Sequence, residues 1–374
     1  MRVGGPADSV IVAETREELI ARAIELWDTR EDWLLLGGGS NTVVSDEGYP
    51  GAVLLVRTSG LEVVDDPERA PGSVRVRVQA GHDWDALVAE CVDRGWAGIE
   101  ALSGIPGLAG AAPVQNIGAY GQELSDVLHS IEFLDADTYE PRRIPAAELE
   151  LGYRDSVIKQ GLAGVVLSID LVLSDAAVLA SSSTGGPVPI SGRIRFPQLA
   201  SAVGVDLGAR VPLGVVREAV LALRASKGMV SDADDHDTWS AGSFFTNPIV
   251  SEKFSRGLPV DAPRFPIGER EMPAAVLSLE SFNAGVPVEI SAPAASPMVK
   301  LSAAWLIEHA GIPKGFRLPG SGAAVSSKHT LAITNRGAAT ADDVGELARF
   351  IVQRVQQEFG VLLAPEPNLY GIEL

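Results

Sequence analysis

The chain has 374 residues, 46% hydrophobic and 21% charged, a balance that excludes a disordered or fibrous protein and leaves room for two or three domains. Its 30 basic against 49 acidic residues give a net charge of −19, so the mean field repels phosphate backbones and anionic headgroups, and nucleic acid is not an expected partner. A pocket of cations can still hold a small anion, because screening isolates it from distant charge.

The N-terminal Met1 to Asp8 lacks the apolar stretch of an export signal, and no run reaches the ~18 apolar residues of a membrane span. A cytoplasmic protein without membrane insertion is expected. Thr15-x-x-Glu18 is a capping signature, and Leu19, Ile20, Ala23, Ile24 and Trp27 follow at helical spacing, predicting a helix over 15–28. Trp33 to Leu36 then reads as a buried strand that runs into Gly37-Gly-Gly-Ser-Asn41, and Ala52 to Val56 reads as the next.

Val74, Val76 and Val78 alternate with Arg75, Arg77 and Gln79, which predicts a half-exposed strand, followed by a helix from Asp83 to Arg94 ended by Gly95. The single cysteine, Cys91, lies on the apolar side of that helix and reads as core. The polar, glycine-rich stretch 175–195, with Ser181 to Pro187, predicts an exposed linker or hairpin loop. Beyond it, helical patterns cover Pro212 to Ser226, 299–310, and Ala341 to Phe359, the last stopping at Gly360. No internal repeat is visible. The expected class is α+β, with divisions at 1–60, 61–209 and 210–374.

Two segments carry the chemical signal. In Gly37-Gly38-Gly39-Ser40-Asn41, successive glycines after a strand let the backbone approach a ligand and turn its N–H groups to phosphate oxygens, although a bare turn has the same composition. Ser103 to Gly121 is 19 uncharged residues with five glycines and two prolines, which suits backbone lining a buried ligand or a buried structural loop. No Gly-x-Gly-x-x-Gly opens a βαβ unit with an acid about 20 positions on, so a Rossmann site is disfavoured.

Taken in order, Gly37 to Asn41, Ile105-Pro-Gly107 through Gln115 to Gly121, Gly152-Tyr-Arg-Asp-Ser156, Ala241-Gly-Ser-Phe-Phe-x-Asn-Pro248 and Pro365-Glu366 resemble the UDP-N-acetylenolpyruvoylglucosamine reductase family over nearly the whole chain. The resemblance implies a two-part FAD-binding domain of the vanillyl-alcohol-oxidase (PCMH) type and a C-terminal substrate-binding domain. It also implies non-covalent FAD, NADPH as electron donor, and a UDP-sugar whose enolpyruvyl ether is reduced for peptidoglycan synthesis. Gly37, Gly38, Gly39, Ser40, Asn41, Ser103, Pro106, Gly107, Gly110, Ala111, Ala112, Asn116 and Gly118 are then expected at FAD, and Tyr120, Lys227 and Asn247 at substrate.

Reducing an enolpyruvyl ether leaves negative charge spread into the adjacent carboxylate. Arg154 and Glu366 match the pair that the family sets against that charge, and Ser243 matches its proton donor, with Lys227 and Asn247 as expected neighbours of the serine. One departure is Phe196, in Arg193-Ile-Arg-Phe196, where some members place a tyrosine on the substrate diphosphate. Lys227, Arg193, Arg195, Gly320 to Gly322 or Ser326 to His329 are the alternatives. His82, His129, His236, His309 and His329 show no ligand spacing, so no metal is expected. A flavin oxidase of the same superfamily would share the two glycine segments but have no use for the Ser243 and Glu366 motifs. A non-catalytic nucleotide-sugar binder would carry no flavin.

Overall fold

The computed structural model describes residues 1–67, 69–176, 190–267 and 297–374. Near the N-terminus, strands Ala7–Ala13, Tyr49–Val56 and Trp33–Leu36 form a parallel sheet with Tyr49–Val56 at its centre. The crossover between the first two strands in sequence is the helix Arg16–Thr29. Thr15 Oγ1 accepts from Glu18 N while the Glu18 carboxylate accepts from Thr15 N, closing the capping box that the sequence shows. The helix buries Leu19, Ala23 and Leu26 among Leu54, Val56, Leu134, Val165 and Leu167, and so welds this sheet to the next.

That next sheet is antiparallel, in the order Pro141–Pro145, Leu128–Asp135, Gly164–Asp175, Ser73–Gln79, Leu61–Val64, with Trp96–Ala97 paired to the end of the long strand. Period-two alternation sends Val74, Val76 and Val78 inward against Trp84, Leu87, Val88 and Cys91 of the helix Trp84–Asp93. Cys91 is fully buried, and burial pushes its thiol up to about 12, as a core cysteine requires. On the opposite face Arg75 and Arg77 converge on the fully buried Asp170 carboxylate, which Arg143 also reaches.

The C-terminal third packs the helices Ala303–His309 and Ala341–Phe359 on the hairpin Ala323–Val325/Ile333–Asn335 and on a sheet whose middle strand is Met298–Leu301. Thr340 caps the long helix and Gly360, at φ +66, ends it. The expected helix over 299–310 needs correction: Val299 and Leu301 alternate into the core as strand, Ser302 caps Trp305 N, and only then does helix begin. In the expected linker 175–195 the long strand ends at Asp175 and Ile190 bridges to Pro212, while Ser181 to Pro187 lie outside the described residues. Among the described residues no helix is long and apolar enough to cross a membrane.

One long-range pairing matters most for function. The last strand, Asn368–Tyr370, runs parallel to Thr42–Val44, just after the first glycine segment. It carries Glu366 back to the N-terminal part of the chain, where Asn41 Nδ2 donates to the Glu366 carbonyl at 3.1 Å.

Candidate active site

The two glycine segments meet and together line one cleft. Leu36, Val56, Trp84, Ile105, Val114 and Val166 supply its apolar wall. The second segment is anchored where the helix Trp84–Asp93 begins: Trp84 N donates to Gly107 O at 3.0 Å, Trp84 Nε1 to Leu102 O at 3.2 Å, and Gly104 N to Asp85 Oδ1 at 2.6 Å. Close approach then demands glycine. A Cβ on Gly38 would lie 3.2 Å from Gly107 Cα, and one on Gly110 would lie 2.6 Å from Ala80 Cβ. Gly39 and Gly107 have φ of +65 and +116. Among the described residues, the N–H groups of Gly38, Gly39 and Ser40 meet no acceptor, which leaves them for an anionic group. This glycine-lined slot with apolar walls, in which Lys159 and Glu366 are the charged lining residues, fits a flavin dinucleotide.

Not every expected FAD residue reaches the cleft. Gly37 to Asn41, Pro106, Gly107, Gly110, Ala111 and Ala112 line it. Ser103 does not: it is fully buried and its Oγ donates to Glu100 O at 2.7 Å. Asn116 and Gly118 also stand behind the wall. The Asn116 amide ties Glu123, Ser125 and Gly152 together, and the carbonyls of Asn116 and Gly118 accept from the Arg154 guanidinium at 3.4 and 2.9 Å.

Arg154 sits in the tight Gly152–Asp155 bridge at φ +56, a left-handed conformation that costs a side-chain-bearing residue about 1–3 kcal/mol and is tolerated where the surroundings impose it. Besides the two carbonyls, Arg154 Nε lies 3.2 Å from Glu366 Oε1. Gln115 Nε2 donates to the same oxygen at 3.4 Å, and Lys159 Nζ holds the Arg154 carbonyl at 2.8 Å. Burial pushes the Glu366 carboxyl above the usual carboxylate range, with Arg154 and Lys159 pulling against it.

Ser243 is fixed by its neighbours. Gly242 turns the chain at φ +74, and Phe244 and Phe245 are buried in the C-terminal core. Phe244 N donates to Leu331 O at 2.7 Å, while Phe244 O accepts from Glu366 N at 2.9 Å. Residues 154, 243 and 366 therefore belong to one connected structure. Ser243 Oγ lies 3.4 Å from His329 Nε2. Burial, with Lys227 and Lys314 adding to it, pushes that imidazole down to about 4, so it is neutral at pH 7.

The expected substrate residues have contacts of their own. The Lys227 ammonium lies over the Tyr120 ring at 5.4 Å and donates to Gln198 Oε1 at 2.9 Å, and Tyr120 meets Phe196 edge to face. Asn247 Oδ1 accepts from Ala303 N at 2.9 Å, so its oxygen is committed to the start of a helix. Arg193 donates to Gly208 O, and Arg195 is exposed 4.0 Å from Asp126. Gln115, Lys159 and His329 are the site residues that sequence reasoning did not assign to these contacts. Gln115 lay inside a quoted motif, but nothing local marked the other two as neighbours of Arg154 and Ser243.

The family description "UDP-N-acetylenolpyruvoylglucosamine reductase, C-terminal domain" matches residues 234–370, and "FAD binding domain" matches residues 7–139. A UDP-N-acetylenolpyruvoylglucosamine reductase of Leifsonia xyli is 57% identical over 100% of this chain and 97% of its own length. The chain belongs to the UDP-N-acetylenolpyruvoylglucosamine reductase family. A reductase of that name from Saccharopolyspora erythraea is 46% identical over 100% of this chain and 93% of its own. The crystal structure of the Thermus caldophilus reductase superimposes with a TM-score of 0.57 at 26% identity, covering 98% of this chain and 94% of that one. The α+β FAD-binding fold and the oxidoreductase class expected from the sequence are those of this reductase family.

The cradle yields a direct prediction for cofactor retention. Gly110→Val forces a side chain against Ala80 and displaces the cradle backbone, an overpacking that costs ~1–3 kcal/mol of stability. The variant is expected to lose flavin absorbance per mole of protein on dilution under conditions where the wild type stays yellow.

Proposed function

We propose that this chain reduces the enolpyruvyl ether of UDP-N-acetylglucosamine enolpyruvate to UDP-N-acetylmuramate in the cytoplasm, as a step of peptidoglycan precursor synthesis, with NADPH as electron donor. Residues 1–60 and 61–209 hold the cofactor in this reading, and residues 210–374 hold the sugar nucleotide. Bound non-covalently in the glycine-lined cleft and reduced by NADPH, the flavin would supply hydride from its N5.

The observation that carries the reading is the convergence of Arg154 and the Ser243 segment on Glu366, which lines the cleft, from three distant parts of the chain. The Arg154 fork suits a carboxylate: it is planar, permanently charged, and already aimed by the Asn116 and Gly118 carbonyls. Glu366, with its carboxyl raised by burial, can stand protonated beside the arginine and donate a second hydrogen bond to the charge that develops on the substrate carboxylate. Ser243 Oγ–H then delivers a proton to the neighbouring carbon. A serine suffices because the carbon it meets is far more basic than any ordinary side chain. The diphosphate falls to Lys227 and the cations around it, since Phe196 has no hydroxyl.

The test is anaerobic. NADPH is expected to bleach the flavin of the purified protein, and the enolpyruvyl sugar nucleotide to restore its colour with formation of the lactyl ether. Reoxidation by dioxygen together with a phenol or alcohol substrate, and none by the enolpyruvyl sugar, would instead identify an oxidase.

A further inference from the structure

A serine that gives up a proton leaves negative charge on Oγ, and that charge needs a partner. Lys227 donates to Gln198 and the Asn247 oxygen accepts from Ala303 N, and among the described residues neither side chain is hydrogen-bonded to Ser243 Oγ. The side chain that meets Ser243 Oγ is His329, through Nε2 at 3.4 Å, a separation typical of catalytic hydrogen bonds that shorten when substrate binds.

The contact belongs to a built turn. His329 lies in the connection between strands Ala323–Val325 and Ile333–Asn335. Below it the buried Asp237 carboxylate accepts from Ser326 Oγ at 2.9 Å, Ser327 N at 2.8 Å, Ser327 Oγ at 2.6 Å and an Arg336 guanidinium N–H at 2.9 Å. Ser326 Oγ in turn accepts from His329 N at 3.2 Å, and the His329 carbonyl accepts from Ala332 N at 3.0 Å. The same turn receives the serine segment, since Leu331 O accepts from Phe244 N at 2.7 Å. Histidine and serine are thus fixed relative to one another through backbone on both sides.

We infer that His329 is a positioning residue for Ser243, its Nε2–H donating to Ser243 Oγ so that the serine's own proton points at the substrate carbon. The inference rests on Ser243 being the proton donor proposed above. In the step, the Ser243 O–H bond breaks, a C–H bond forms on the substrate with the electron pair of the anionic carbon, and negative charge is left on Oγ. The imidazole N–H holds that charge until water returns a proton. A neutral ring suits the task, because it donates a hydrogen bond without competing as an acid. The charged groups that face it, Lys227, Lys314 and Glu308, sum to a positive field that favours the neutral ring and an anionic oxygen.

Single-turnover measurements on the FAD-loaded enzyme test this with His329→Ala and His329→Gln. In His329→Ala, reoxidation of the reduced flavin by the enolpyruvyl sugar is expected to slow by ~10- to 100-fold, less than the ~10²- to 10³-fold for losing a donor to the substrate oxyanion itself, with reduction by NADPH unchanged. His329→Gln, whose amide keeps an N–H donor, is expected to recover most of the rate. The double variant Ser243→Ala/His329→Ala is expected to be no slower than Ser243→Ala alone. Wild-type reoxidation in His329→Ala, equal slowing in His329→Gln, or additive losses in the double variant would each overturn the inference while leaving the serine assignment standing. Slow His329→Ala beside wild-type Ser243→Ala would overturn the serine assignment itself, and the inference with it.

Discussion

Ser243→Ala is expected to be reduced by NADPH at close to the wild-type rate, and to be reoxidised by the enolpyruvyl sugar ~10³-fold more slowly, within the range that one positioned general acid contributes. The separation of half-reactions follows from where Ser243 sits. Its segment is pinned by Phe244 N to Leu331 O and by Glu366 N to Phe244 O, contacts made by backbone that alanine keeps. Phe244 and Phe245 stay in the C-terminal core, and Gly242 keeps its positive φ. No Ser243 atom lines the flavin cleft, so loss of one hydroxyl leaves the cradle intact. Stopped-flow flavin absorbance reads both steps on one sample. Equal slowing of the two would mean that the substitution damaged the cofactor site, and the proton-donor role would fall.

Local chemistry was legible wherever a short-range rule decides the outcome. Thr15 and Glu18 announce a helix start because the capping box closes within four residues, and Gly360 announces an end because a left-handed cap prefers glycine. The alternation at Val74, Val76 and Val78 needs only the two-residue period of a strand. The glycine segments were legible for a related reason: excluding side chains from a ligand is a requirement on each residue separately. What the sequence concealed is long-range. At 299–310 the apolar spacing fits a helix, and pairing of Met298–Leu301 with two flanking strands overrides it. Ser103, Asn116 and Gly118 share the composition of cradle residues, yet they form the scaffold behind the cradle, a distinction set by which way each points. His329 lies 86 positions from Ser243, and only the hairpin turn brings them together.

Arg154→Met is the second large effect, expected to slow substrate-driven reoxidation by ~10²- to 10³-fold, the range for losing an oxyanion donor, with thermal stability and flavin content close to wild type. Its pH dependence makes it specific. Burial already raises the Glu366 carboxyl, and Arg154 is the first of two cations that oppose the rise, Lys159 being the other. Removing the guanidinium therefore moves Glu366 further up. If Glu366 works as a protonated donor, the wild-type rate falls as pH rises through the Glu366 pKa, and in Arg154→Met that fall shifts to higher pH. Glu366→Gln keeps a neutral donor that cannot ionise, so it is expected to lose this limb while retaining more activity than Glu366→Ala. The left-handed backbone at 154 argues that the arginine is held for its side chain, because glycine would occupy that conformation without strain. Lysine at 154 would restore charge as a single point and forgo the fork that spans the Gly118 carbonyl and Glu366 together, and partial recovery is expected from it. An unshifted pH limb in Arg154→Met, measured as reoxidation rate against pH, would show that Glu366 does not act as the protonated partner and that the arginine alone meets the developing charge.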